Sequence, residues 1–194
     1  MHLSKTPFHL NILVCVRIPV LERISTMIRP ILQLGNETLR KKSLPVKDFQ
    51  SSDLGNLVED LSNTLQEAKK SFSYGRGIAA PQIGKLKRLI FIDTQVFRSP
   101  LINPRIVRVS DRKFEVWDSC FSFNVAFFVL VDRYYHVRVE YLDQEGKKQV
   151  IDAENELSEL FQHEIDHLDG ILATDRLKDV KKIMMRQEWE KTFK

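Results

Sequence analysis

The hexapeptide Gln162-His163-Glu164-Ile165-Asp166-His167 constrains this 194-residue chain more tightly than any other feature. Two imidazoles four positions apart on a helix differ by roughly 40° around its axis, so both nitrogens can reach one metal ion. Glu164 lies to one side of them, where it can touch a water carried by that ion. A helix face supplies only two ligands, and a hydrolytic site of this type uses three from the protein, so another part of the chain must fold onto this helix. Asp169-Gly170 follows, and Gly170 can take the left-handed conformation that ends a helix.

Two residues compete for the third position. Glu188, on a later helix, stands where a zincin peptidase would place its ligand. Cys120 lies in Trp117-Asp118-Ser119-Cys120-Phe121-Ser122, at a strand end, where a backbone bend can present a thiolate. The residues alone leave both open. A third segment, Gly75-Arg76-Gly77-Ile78-Ala79-Ala80-Pro81-Gln82-Ile83-Gly84, combines small residues that allow close approach to the main chain with an amide, Gln82, able to donate to an oxygen. It lacks the Lys-Ser/Thr of a phosphate loop.

Periodicity places these segments. Leu54, Leu57, Val58, Leu61, Leu65 and Ala68 recur at three and four, which predicts an amphipathic helix over 53–72 with Asp53 as its cap. Asn36 caps a short helical turn at 37–41. Strands are expected at 88–94, 106–109, 114–117 and 125–131, with a hairpin of 135–142 and 147–152 around Gln144-Glu145-Gly146. Helical period returns over 155–168 and again in a basic helix over 180–193. The fold class is therefore α+β, with mostly antiparallel sheets packed around a central HExxH helix and a C-terminal helix.

Composition narrows the function. Basic and acidic residues nearly balance, 30 against 26, so the chain lacks the one-sided field of a DNA binder. No window reaches the roughly 18 to 20 uncharged apolar residues of a membrane span; the nearest approach, Phe8 to Leu21, is interrupted by Arg17. Cys15 and Cys120 are far apart, which argues against a disulfide framework and for a reducing, cytoplasmic compartment. Residues 1–26 read as an extension, either upstream of the true start or a transit-like segment that would make the location organellar. Residues 27–194 read as one catalytic domain.

The three segments, in this order, resemble the peptide deformylase family, whose signatures are a GxGxAAPQ loop, an EGCLS segment and HExDH on a central helix. The resemblance implies removal of the N-formyl group from the N-terminal methionine of nascent polypeptides. It selects Cys120 over Glu188, so that Cys120, His163 and His167 hold one divalent ion, Fe2+ by family habit, with Zn2+, Ni2+ or Co2+ as alternatives. Glu164 would move the proton, Gln82 and the Phe121 N–H would meet the oxyanion, and Gly77 and Ile78 would bind an extended N-formyl peptide. A monomer is expected, and Lys178, Lys181, Lys182, Arg186 and Lys191 of the basic last helix read as a solvated face, with docking on ribosomal RNA as the alternative.

The chain also departs from the family pattern. Asp118-Ser119-Cys120-Phe121-Ser122 replaces EGCLS, and no arginine follows in 123–131 to hold a substrate backbone. Glu156 and Glu159 lie within roughly 40° of His163 around the helix axis, so they either face solvent or line the pocket. In the second case another N-formyl compound becomes the substrate; the missing arginine and the altered Cys segment suggest as a rival a protein that has lost turnover and serves as a binding module. Asp118 and Asp166 are expected to share Arg133, with Trp117 and the phenylalanines in the core and His136 on the surface.

Overall fold

The computed structural model describes residues 27–194; the extension over 1–26, with Cys15, lies outside them. Asn36 accepts a hydrogen bond from the Thr38 N–H and starts a single 3-10 turn at Glu37–Arg40. Helix α1 spans Ser52–Phe72 and buries Leu54, Leu57, Val58, Leu61, Leu65 and Ala68, as the period requires. Its cap is Ser51, whose hydroxyl accepts from the Asp53 N–H; Asp53 instead sits in the first turn, where its charge favours the helix dipole. Asp60 and Thr64, also buried on α1, take hydrogen bonds from the backbone of Met27 and Arg29, which fastens the start of the domain to this helix.

Eight strands follow the helix in chain order, with one more helix between the last two. They are β1 (Gly77–Ala79), β2 (Leu89–Asp93), β3 (Arg98–Val109), β4 (Lys113–Asp118), β5 (Phe127–Tyr134), β6 (His136–Leu142) and β7 (Lys148–Glu154); then come α2 (Asn155–Leu168), β8 (Ile183–Met185) and α3 (Arg186–Phe193). One antiparallel sheet runs β1-β2-β3-β6-β7 and a second runs β4-β5-β8. The β6–β7 hairpin pairs His136 with Glu154 through to Leu142 with Lys148. Gly170 ends α2 at φ 75°.

Three expectations from the sequence need correction. The strand expected at 106–109 is only the end of β3, which begins at Arg98. Pro100 and Pro104 hide that length, because proline reads as a break; here shifts in register between Ile102 and Arg105 and between Ile106 and Arg108 absorb the irregularity. The strand expected at 125–131 starts later, because Asn124 and Val125 take positive φ and turn the chain. The helix expected over 180–193 begins only at Arg186. Ile183, Met184 and Met185 instead pair with β5, where an open strand edge offers backbone partners that helix periodicity does not reveal.

Helix α2 is buried on nearly all sides from Ser158 to Leu168. Leu160, Phe161, Ile165 and Leu168 pack against Ile90, Ile92, Leu101, Val137 and Val139 of the larger sheet. Each such side chain contributes about 1.5–3 kcal/mol by leaving water, enough to fix the helix axis. On its other side α2 meets β5 through polar anchors: Ser158 and Gln162 donate to the Tyr134 carbonyl, and Gln162 Oε1 accepts from the Tyr134 N–H. The metal-motif helix is thus held by apolar packing on one flank and by hydrogen bonds on the other.

Helix α3 has no buried residue, yet it is tied down. The Trp189 ring stacks on Phe128 at 4.3 Å, and the Glu190 carboxylate accepts from Tyr74 Oη, Arg186 Nε and Lys194 Nζ. Those hydrogen bonds, Tyr74 first, hold the Glu190 carboxyl down at about 2, against an ordinary 4.5. A carboxylate with a depressed pKa stabilises the docked state above its ordinary value and stops doing so as pH falls through the depressed one. Tryptophan emission is therefore expected to stay constant from about pH 8 to 5 and to shift between about 4.5 and 2, a transition that Glu190→Gln removes.

Candidate metal centre

Strand β4 ends at Asp118, and Cys120 caps a 3-10 turn, Phe121–Phe123, with its sulfur accepting from the Ser122 N–H at 3.4 Å. This turn carries the sulfur to the buried face of α2, where Cys120 Sγ lies 3.2 Å from His167 Nε2. Ligand atoms of Cys120, His163 and His167 all fall within 4.8 Å of one another, and all three residues are buried. Glu188 is elsewhere, on the exposed face of α3, paired with Lys191. A thiolate and two imidazoles at these separations fit a divalent cation that prefers sulfur and nitrogen donors.

The groups behind these ligands are charged and buried. His163 Nδ1 donates to Asp118 at 2.9 Å, which leaves Nε2 to face Cys120. Asp118 also accepts from Arg133 at 2.9 Å, Arg133 donates to Asp166 at 2.6 Å, and Asp166 accepts from Arg176. The expected ion pair shared through Arg133 is therefore present, and it is longer by one arginine. Burial alone would raise the Asp118 carboxyl, but the charges of His163 and Arg133 hold it well below the usual carboxylate range. Burial works against a proton on His163, yet Asp118 keeps it well above the imidazole range; burial and the neighbouring His163 push His167 well below it.

Glu164 is buried, and its Oε2 has no hydrogen-bond partner among the described residues. Burial, with Glu159 and Asp118 adding to it, pushes its carboxyl up to about 7. A carboxyl poised there can both take and return a proton near neutral pH. Gln82 is oriented by accepting from the Ala79 N–H at 2.8 Å, so its Nε2 points at Cys120 Sγ and Ser122 Oγ, each 3.3 Å away. The Phe121 N–H opens the 3-10 turn, where the first N–H groups lack an internal partner. Gly77 and Ile78 lie on β1, an outer strand of the larger sheet, so one edge of their backbone is open.

Two glycines set the spacing. A Cβ at Gly77 would come within 2.7 Å of Glu164 Oε1, and one at Gly75 would meet the Phe121 ring at 2.1 Å. Only bare backbone lets this loop lie against both the carboxylate and the Cys120 turn. Beside the ligands is a cavity of about 140 Å³ lined by Arg76, Trp117, Phe128, Glu159 and Leu160 as well as by Gln82, Cys120, His163 and Glu164.

The two glutamates before His163 part company. Glu156 is exposed, whereas Glu159 is buried and bonded to Arg76 Nη2 at 2.5 Å. Sequence reasoning passed over Arg76; its position between Gly75 and Gly77 was the available signal. Trp117 is half-buried, packed against the core on one side and lining the cavity on the other. His136 is half-buried on β6 and pairs with Asp152, away from the site.

Removing one partner from a buried ion network leaves the others uncompensated, which typically costs 3–5 kcal/mol. Arg133 is 2% exposed and serves both Asp118 and Asp166. Arg133→Met is accordingly expected to lower the unfolding free energy by about 3–5 kcal/mol in urea titrations.

Comparison with known proteins adds a lineage to this geometry. A family model described as Polypeptide deformylase matches residues 28–183. Peptide deformylase 2 of Clostridium perfringens is 36% identical over 159 residues, covering 81% of this chain and 97% of that protein. A crystal structure of a peptide deformylase from Legionella pneumophila is 36% identical with a TM-score of 0.72, covering 86% of this chain and 95% of the other. A Met-Ala-Ser-bound class I type b peptide deformylase from Acinetobacter baumannii is 26% identical with a TM-score of 0.71, covering 78% of this chain and 99% of the other.

Proposed function

Because this chain belongs to the polypeptide deformylase family, metal-dependent hydrolases that remove the formyl group from the N-terminal methionine of nascent chains, we propose that Cys120, His163 and His167 hold its metal and that Glu164 moves the proton. The observation that carries this reading is the meeting of three ligand atoms from two distant segments within 4.8 Å, with the unpartnered Glu164 Oε2 buried beside them. Fe2+ is the proposed occupant, and Zn2+, Ni2+ or Co2+ suit the same sulfur and nitrogen donors. A divalent ion there supplies Lewis acidity that makes water nucleophilic near neutral pH and polarises a carbonyl.

The residues then divide the work. Glu164 accepts a proton from the attacking water and delivers it to the amine nitrogen as the C–N bond breaks, so water and the formamide become formate and a free amine. Gln82 Nε2 and the Phe121 N–H donate to the oxygen on which negative charge develops. The open edge of β1 at Gly77 and Ile78 receives the peptide as an added strand, and the similar Acinetobacter baumannii protein was solved with Met-Ala-Ser bound.

The scheme is complete with the residues of one chain, and a monomer is the proposed working form. Cys120 must stay a thiolate, which favours a reducing compartment, the cytoplasm or an organelle interior. No helix among the described residues is long and apolar enough to cross a membrane. Of the basic groups proposed for ribosomal docking, Lys178, Arg186 and Lys191 are already paired with Asp132, Glu190 and Glu188, so the proposal rests on Lys181 and Lys182.

Formate release from formyl-Met-Ala-Ser under anaerobic conditions tests the reading. Glu164→Gln is expected to cut kcat about a hundredfold or more with metal content unchanged, whereas Cys120→Ala should lose the metal itself. A fully metallated wild-type protein that releases no formate would overturn the assignment. Gly77→Ala, whose Cβ would press on Glu164 at 2.7 Å, is expected to lower kcat about tenfold or more while metal binding and folding stay intact.

A further inference from the structure

Glu159 and Arg76 form an ion pair on the wall of the reaction cavity, and the proposed chemistry gives it no task. Glu159 stands one helical turn before His163, so its side chain shares the face that carries the ligands. Its side chain is 5% exposed, and Arg76 Nη2 meets it at 2.5 Å, while Arg76 Nη1 reaches the Glu156 carbonyl at 3.4 Å. The same cavity is also lined by the apolar side chains of Trp117, Phe128 and Leu160. With the formyl carbon at Cys120, His163 and His167 and the backbone along the β1 edge, the first residue's side chain enters this cavity.

Each possible side chain meets a different balance there. A hydrocarbon end strips water from Arg76 and Glu159 and returns no hydrogen bond, a cost that binding must absorb. A cation meets the guanidinium, and an anion meets Glu159 with Glu164 and Asp118 behind it. A neutral acceptor avoids both repulsions. It can take a hydrogen bond from the guanidinium N–H groups that Glu159 and Glu156 do not occupy, since arginine carries five donors, while its methylene stem lies against Trp117 and Phe128.

We propose that this cavity selects N-formyl residues whose unbranched side chain ends in a neutral hydrogen-bond acceptor, with Arg76 and Glu159 as the specificity-determining pair. The thioether of methionine is the weak member of that class, and an amide or sulfoxide oxygen is a stronger one. The proposal rests on the hydrolase reading above.

The test compares kcat/KM for formyl-Gln-Ala-Ser, formyl-Met-Ala-Ser and formyl-norleucine-Ala-Ser on the metallated wild-type protein; the three first residues match in length and differ in their acceptor. Glutamine is expected to exceed norleucine by about tenfold or more, with methionine between. Norleucine equal to or better than glutamine overturns the proposal while leaving the hydrolase intact. No formate from any of the three overturns the hydrolase reading instead, and calorimetric binding of Gln-Ala-Ser against norleucine-Ala-Ser then decides the pocket: equal affinities refute it, and tighter glutamine binding upholds it. The variant carrying both Arg76→Leu and Glu159→Leu leaves no buried charge unpaired, since the other partner of Arg76, Glu156, is exposed, and is expected to reverse the order in favour of norleucine; a retained glutamine preference would refute the assignment to this pair.

Discussion

The rest of the site depends on one buried chain of charges, from His163 through Asp118, Arg133 and Asp166 to Arg176. It ties the end of β4, the end of β5 and two turns of α2 to a common point. Each ion would be costly to bury alone, and each is tolerable because its neighbours neutralise it in good geometry. The same contacts aim His163 Nε2 and bring Cys120, two residues beyond Asp118, to the helix that carries both imidazoles. The placement of these candidate ligands and the stability of the fold are therefore not separable in this region.

Around that chain the protein uses two kinds of adhesion. Apolar packing against the larger sheet fixes the position of α2 but tolerates small slides and rotations, since the hydrophobic effect has no direction. Hydrogen bonds from Ser158 and Gln162 to the backbone of Tyr134 do have direction, and they set the rotation about the helix axis. Close approach of the glycine loop completes the arrangement: Gly75 lies on the Phe121 ring and Gly77 on Glu164, so the Cys120 turn, the helix and the outer strand share one small volume.

Much of this was legible in the residues. Helices over 53–72 and 155–168, the 135–152 hairpin and the capped turn at Asn36 follow from local chemistry, and three short motifs in order carried the family. Less legible were features that depend on a neighbour distant in sequence. Ile183-Met184-Met185 has no strand signature beyond being apolar; it becomes one because β5 presents an open edge. The cap at Ser51 in place of Asp53 depends on where the backbone enters the first turn. Pro100 and Pro104 concealed a twelve-residue strand whose irregular register accommodates them.

Glu159 shows where the boundary falls. Helical spacing alone determined that it shares a face with His163, because a rotation of about 100° per residue is a property of the backbone. Whether that face met water or a cavity was decided only by the packing of α2 between two sheets and by Arg76 arriving from the glycine loop. The sequence by itself likewise determined the candidate ligand types, the helix that carries two of them and the lineage of the chain. The motif resemblance also pointed to Cys120 over Glu188, but only tertiary structure brings Cys120 within reach of His163 and His167, because meeting across more than forty residues depends on burial and ion pairing between distant segments.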